Sequence, residues 1–133
     1  MSTNNSLLRG FRALVVDDDV DSVILLKLLL EEQNLEVISA YSTQEALNIL
    51  SKWSPDILIS DLAMPVSDGF SLVQQIRHRF SKIDQRLAKI ALTAYVSPGI
   101  HSQISQAGFQ TLLTKPLEPD TLIQSIQKLV QFT

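Results

Sequence analysis

The chain has 133 residues, with 11 Lys and Arg against 14 Asp and Glu and a formal net charge of -3 at pH 7. This length suits one domain with its own core and leaves no room for a second. The acidic balance, without an evident Lys and Arg cluster, argues against nucleic-acid binding, and the lack of cysteine excludes disulfides and thiolate metal sites.

Residues 1–10 form a polar start without the basic and apolar stretches of a signal peptide. We expect them to be a flexible tail before a domain of residues 11–133. No apolar run approaches the ~20 residues that span a bilayer. A soluble, cytoplasmic protein without membrane contact is therefore expected.

Five short apolar runs alternate with longer segments of helical character. The predicted strands are 13–16, 37–40, 57–60, 90–93 and 111–114. The predicted helices are 20–33, 44–52, 69–80, 98–107 and 119–132. Strands that are apolar throughout are typical of a parallel sheet covered on both faces. This pattern predicts an α/β fold with a doubly wound five-stranded parallel sheet, helices on both faces, and a ligand crevice at the carboxyl ends of the strands.

Three local signals support the helix boundaries. Ser42 and Glu45 have the spacing of a capping box, and Ser97 stands before Pro98 as a cap before a first-turn proline. Gly108 follows the fourth predicted helix, where a glycine commonly ends a helix.

Polar residues end four of the five predicted strands: Asp17–Asp19 after the first, Asp61 after the third, Thr93 at the end of the fourth and Lys115 after the fifth. Neighbouring carboxylates repel one another unless a cation intervenes. Oxygen ligands without nearby Cys or His suit a hard ion such as Mg²⁺. Asp61 is the natural nucleophile, because aspartate can form an acyl phosphate, and Lys115 would hold a phosphoryl oxygen.

Four motifs in order make the chain resemble the receiver domain of bacterial response regulators over residues 11–130. They are Leu14-Val15-Val16-Asp17-Asp18-Asp19, Ile57-Leu58-Ile59-Ser60-Asp61-Leu62-Ala63-Met64-Pro65-Val66-Ser67-Asp68-Gly69, Ala91-Leu92-Thr93-Ala94 and Thr114-Lys115-Pro116. The resemblance implies the flavodoxin-like strand order 2-1-3-4-5, which sets the first and third strands side by side.

The resemblance also implies a role for each site residue. Asp17, Asp18 and Asp61 would hold Mg²⁺ together with the Ala63 carbonyl, and a histidine kinase or histidine phosphotransfer protein would phosphorylate Asp61. Thr93 and Lys115 would bind phosphoryl oxygens. The resemblance also allows a cis peptide bond between Lys115 and Pro116.

Several alternatives are open for these residues. The acids could form a solvated loop, and Asp19 is better explained as a helix cap. A calcium loop is rejected, because Ser22 and Leu28 stand where its glycine and glutamate are needed. His78 and His101 lack ligand partners at suitable spacing and are expected at the surface.

Two other functions compete with the phosphoacceptor. A phosphatase of the haloacid dehalogenase type also uses an aspartate nucleophile, but it needs Asp-x-Asp-x-Thr, whereas the stretch from Asp17 ends in Asp21. The second competing function is a receiver-like docking module that is not phosphorylated. We expect a signalling domain and not an enzyme, acting on a protein target or relaying phosphate, and the resemblance allows a dimer that forms on phosphorylation. Whether it acts alone or as part of a hybrid kinase is left open.

The signalling switch departs from the family pattern at one position. Many receivers have an aromatic residue three positions before the site lysine, where this chain has Leu112. We therefore expect the loop of residues 93–98 and the fourth predicted helix to supply the switch, with Tyr95 as its moving aromatic. Tyr95 and the small Ala63 are also expected to slow loss of the phosphoryl group.

Overall fold

A computed structural model describes residues 8–130 of the chain. Within that range the elements follow in the order β1 Arg12–Val16, α1 Val20–Glu32, β2 Glu36–Ala40, α2 Thr43–Leu50, β3 Ile57–Asp61, α3 Gly69–Arg79, α4 Ser81–Arg86, β4 Ala88–Thr93, α5 Ile100–Ala107, β5 Thr111–Thr114 and α6 Pro119–Val130. No helix in this range is long and apolar enough to cross a membrane.

The five strands form one parallel sheet in the order β2-β1-β3-β4-β5. This confirms the predicted sheet and its strand order. All residues of the neighbouring interior strands β3 and β4 are buried, as expected for strands with helices over both faces. The predicted strand bounds agree with the structure to within two residues.

Alternate residues of the strands face two separate cores. Val15 lies in a core with α1 and α6, whereas its neighbour Leu14 lies in a core with α2, α3 and α5. This alternation follows from the pleat of a strand, which points successive side chains to opposite faces. Helices therefore cover both faces of the sheet, as predicted.

Two predicted caps are present. Ser42 Oγ accepts a hydrogen bond from the Glu45 amide at 3.1 Å, and Glu45 Oε1 accepts one from the Tyr41 amide at 2.7 Å. Gly108 ends α5 in the left-handed region, with a φ of 108°, which suits a residue without a Cβ.

The predicted start of the fourth helix is wrong. Helix α5 begins at Ile100, and its N-cap residue is Gly99, with a φ of 81°. The predicted cap residue Ser97 instead accepts a hydrogen bond from the Ile100 amide through its backbone carbonyl. The chain between them forms a turn before the helix. Pro98 therefore lies outside the helix.

Helix α4 was not predicted. The predicted helix 69–80 ends at Arg79, since Phe80 takes a non-helical φ of -135° and ψ of 55°, and a short second helix follows. Its Asp84 lies 2.9 Å from Nζ of Lys89, a residue buried in β4. This ion pair links α4 to the strand that follows it and contributes to the position of α4.

The predicted flexible tail overlaps the folded domain. Leu8 is fully buried among the residues of the core under α1 and α6. The Gly10 amide donates to the Asn34 carbonyl at 3.1 Å, and the Phe11 amide donates to the Leu8 carbonyl at 3.2 Å. Residues 8–10 thus pack with the domain, and the rest of the predicted tail lies outside the described residues.

Candidate functional site

Three carboxylates converge at the carboxyl edge of the sheet. The parallel register pairs Val16 with Ser60, so the residues that follow them, Asp17 and Asp61, lie side by side. Each of these two and Asp18 offers a carboxylate oxygen, and the three oxygens lie within 4.8 Å of one another. Asp17 and Asp61 are buried, whereas Asp18 is exposed. The strand order therefore brings together the three acids that the sequence suggested.

Lys115 reaches into this cluster from the end of β5. Its Nζ lies 2.7 Å from Oδ2 of Asp17 and 3.7 Å from Oδ2 of Asp61. The Lys115 amide donates to the Thr93 carbonyl at 2.8 Å, which fixes its backbone beside β4. The peptide bond between Lys115 and Pro116 is cis.

Burial and an excess of negative charge together determine the electrostatics of the cluster. Burial, followed by the charge of Asp17, raises the pKa of Asp61 to about 6, although Lys115 and a hydrogen bond from the Ala63 amide act in the opposite direction. Burial lowers the pKa of Lys115, but its hydrogen bond to Asp17 and the surrounding acids outweigh burial and raise it. Lys115 alone therefore does not compensate the carboxylates.

The residues present fit a hard divalent cation. The donors are carboxylate oxygens that lie close together, and the pKa of Asp61 is raised by burial and then by its acidic neighbours. A cation among these oxygens would remove that repulsion, and Mg²⁺ prefers such ligands. The amide of Ala63 donates to Oδ1 of Asp61 at 3.4 Å, which places this residue beside the cluster.

Thr93 lies at the same edge, but its hydroxyl is bonded to its own loop. Oγ1 donates to the Tyr95 carbonyl at 2.8 Å and accepts from the Tyr95 amide at 3.2 Å. The Tyr95 residue is 72% exposed. The hydroxyl thus holds the start of the loop between β4 and α5.

Gly69 packs closely against the end of β3, a contact that the sequence did not reveal. A Cβ at Gly69 would lie 2.5 Å from the carbonyl oxygen of Asp61 and 3.2 Å from Oγ of Ser60. Ser60 Oγ donates to that same Asp61 carbonyl at 2.9 Å. The sequence suggested only that Asp68 and Gly69 start a helix, and Asp68 does cap α3 by accepting from the Ser71 amide. The signal available in the sequence was the glycine at the start of the helix that follows β3, the strand that carries Asp61.

The remaining candidates lie outside the cluster. Asp19 is the N-cap residue of α1, and its carboxylate accepts a hydrogen bond from the Ser22 hydroxyl at 2.7 Å, which lowers the pKa of Asp19. His78 and His101 are exposed on α3 and α5, as expected.

Comparisons with known proteins agree with this geometry. The family model described as the response regulator receiver domain matches residues 13–127 of this chain. An uncharacterized 14.6 kDa protein in the sodA1 3' region of Leptolyngbya boryana is 40% identical over 115 residues and 86% of each chain. Sensor protein GacS of Pseudomonas syringae is 31% identical over 90% of this chain, which spans only 13% of GacS.

The fold is also similar to that of a solved structure. The chemotaxis protein CheY4 of Vibrio cholerae superposes with a TM-score of 0.85 at 29% identity, over 91% of this chain and 99% of CheY4. The family model covers nearly the whole described domain. The chain therefore belongs to the receiver domain family of two-component signalling.

Proposed function

We propose that Asp61 accepts a phosphoryl group from a phosphohistidine of a histidine kinase or a histidine phosphotransfer protein. The observation that carries this proposal is the position of Asp61, which ends β3 beside Asp17 and Asp18 and lies 3.7 Å from the Lys115 ammonium. A carboxylate nucleophile with positive charge close by is what phosphoryl transfer needs, since that chemistry depends on positioning and charge stabilisation.

The transfer exchanges one bond to phosphorus for another. A carboxylate oxygen of Asp61 forms the new bond, while the bond from phosphorus to the imidazole nitrogen breaks and its electron pair stays on the nitrogen. Asp61 must be ionised to attack, and a pKa of about 6 leaves it mostly ionised at neutral pH. Lys115 would shift from the carboxylates towards the phosphoryl oxygens, where its charge balances theirs.

Asp17, Asp18 and Asp61 would hold Mg²⁺, with the carbonyl of Ala63 as a further ligand. When bound, Mg²⁺ supplies charge neutralisation of the phosphoryl oxygens. The chain's own contribution is the close approach of the three carboxylates, which β1 and β3 fix by their pairing.

Thr93 would bind a phosphoryl oxygen only after its hydroxyl leaves the Tyr95 carbonyl, because a hydroxyl has one proton to donate. Binding would therefore release the loop that leads to α5. This competition supports the loop as the switch of the domain. Leu112, partly buried in β5, lacks a ring that could report the change.

A small phosphodonor tests the proposal without a partner protein. Incubation with phosphoramidate and Mg²⁺ should add one phosphoryl group, observed by intact mass, and Asp61→Asn should add none. Asp56→Asn, at the opposite edge of the sheet, is the matched control and should be labelled like the parent. Labelling of Asp61→Asn to the same extent would refute the assignment.

An assay with small phosphate esters, together with the labelling experiment, separates the other functions. Continuous release of phosphate from small phosphate esters would indicate a phosphatase, and no labelling of the folded parent would indicate a docking module. We propose a signalling domain of the cytoplasm that transfers its phosphoryl group or presents a changed surface to a protein target.

A further inference from the structure

The exposed surface of α3 and α4 is basic on a chain that is acidic elsewhere. Exposed cations recur at the end of α3 and along α4: Arg77, Arg79, Lys82 and Arg86. Between residues 69 and 117 the one acidic residue is Asp84, and its carboxylate is paired with buried Lys89. The expectation that the chain lacks a Lys and Arg cluster is therefore wrong for residues 77–86.

Local structure accounts for only part of this basic segment. Arg77 Nη2 donates to the Ala107 carbonyl at 2.9 Å, and the Arg79 guanidinium lies 5.6 Å from the ring of Phe80. Lys82 and Arg86 are four positions apart on α4, so they share one face of that helix. Within residues 8–130, neither has an ion-pair partner.

Arg86 also lines a cavity of about 540 Å³. Its apolar walls include Phe11, Leu87 and Leu129, and Gln85 adds an amide. Asp56 adds one carboxylate, which accepts a hydrogen bond from the Arg12 amide at 2.9 Å. Leu87 and Phe11 directly precede β4 and β1, so the cavity lies at the amino edge of the parallel sheet. The carboxylate cluster lies at the other edge.

We propose that α4 and this cavity dock an acidic segment of a partner protein that also carries an apolar side chain. The carboxylates of the segment would lie over Lys82 and Arg86, and its apolar side chain would enter the cavity beside Leu129. Charge complementarity selects an anion, and the apolar walls select a polypeptide over a nucleic acid, whose backbone offers no aliphatic group for such a cavity.

The position of the site separates docking from phosphorylation. The six residues of β4 span roughly 20 Å at about 3.3 Å per residue, and this length stands between the cavity and Thr93. A partner at the amino edge would leave the carboxylate cluster open to a phosphodonor. The surface would therefore hold the domain near its partner in both states of Asp61.

A labelled synthetic peptide of alternating Glu and Leu is the probe. Fluorescence anisotropy should show saturable binding to the full chain, and the double variant Lys82→Gln with Arg86→Gln should bind about tenfold more weakly, because two rim charges are lost. Lys27→Gln with Lys52→Gln makes the same change in net charge elsewhere and should bind like the parent. Circular dichroism and phosphoramidate labelling establish that each variant is folded.

The cavity is tested with two further peptides. Replacing Leu by Ser in the probe should weaken binding, and Leu129→Gln should weaken binding of the Leu peptide but not that of the Ser peptide. Equal binding of both peptides, or of a single-stranded oligonucleotide or anionic phosphatidylserine vesicles, would reduce the surface to a general anion site and overturn the proposal. Unchanged binding by the Lys82 and Arg86 double variant, or no saturable binding by the parent, would also overturn it.

Discussion

Oδ2 of the fully buried Asp17 lies 2.7 Å from Nζ of Lys115, whereas Oδ2 of Asp61 lies 3.7 Å from the same ammonium. The lysine therefore compensates Asp17 more directly than it compensates Asp61. Burial, followed by the charge of Asp17, raises the pKa of Asp61 to about 6, and the more distant ammonium opposes them only in part.

The first prediction follows from the Asp17 and Lys115 pair. Lys115→Met should lower the free energy of unfolding by about 2–3 kcal/mol in the presence of a chelator, because it leaves a buried carboxylate without its counter-charge. Excess Mg²⁺ should restore part of this loss if Asp17 binds the ion. Urea unfolding with and without Mg²⁺ measures both effects.

Lys52→Met is the control, since Lys52 is exposed after α2, and it should change little in either condition. An equal loss for Lys115→Met with and without Mg²⁺ would contradict a metal role for Asp17.

The second prediction concerns Asp61 and pH. Its pKa is about 6 in the folded protein against an ordinary 3.8, so between these values the folded state binds the proton more tightly than the unfolded state. The stability that Asp61 contributes is then greatest below pH 3.8, falls as pH rises towards 6, and stays at its lowest above 6.

Asp61→Asn should therefore raise the free energy of unfolding of the metal-free protein at neutral pH by about 1–2 kcal/mol, after allowance for solvent screening. The gain should shrink as pH falls towards 4, where the parent carboxyl is already protonated. Chemical unfolding across this pH range gives the comparison, with Asp56→Asn as the control. A gain that did not vary with pH would count against the raised pKa.

The third prediction tests the contact of α3 with β3. Gly69→Ala places a Cβ 2.5 Å from the carbonyl of Asp61, and relief of that overlap must move the backbone of one element. We expect a loss of about 1–3 kcal/mol, typical of overpacking, together with slower labelling by phosphoramidate.

Gln74→Ala, on the exposed side of α3, should alter neither quantity. If Gly69→Ala were destabilised yet labelled at the parental rate, the glycine would be structural and would not position Asp61.

The fourth prediction concerns the hydroxyl of Thr93. In the parent, binding of beryllofluoride should shift amide resonances from Thr93 through Gln106, because the hydroxyl leaves the Tyr95 carbonyl for the phosphoryl mimic. Thr93→Val keeps the shape and lacks that bond, so its shifts should stay near the carboxylates. Ser97→Ala, in the same loop, should respond like the parent, and a full response by Thr93→Val would exclude this switch.

The sequence by itself determined the strands and the edge at which the polar groups lie. Apolar runs such as Ile57–Asp61 form buried parallel strands wherever helices cover both faces. Because parallel strands end at the same edge, residues that directly follow them, such as Asp17, must lie there. Local chemistry also determined the cap at Ser42, since its partner is three residues away.

Tertiary structure decided how deeply side chains are buried and which of several possible partners each side chain contacts. The break at Phe80 leads into a helix whose Asp84 pairs with a buried strand lysine, and local periodicity carries no trace of that pair. The Thr93 hydroxyl could have faced Asp61 or its own loop, and only the path of the loop selects Tyr95. The raised pKa of Asp61 likewise depends on burial and on the distances to other strands, which a sequence pattern does not contain.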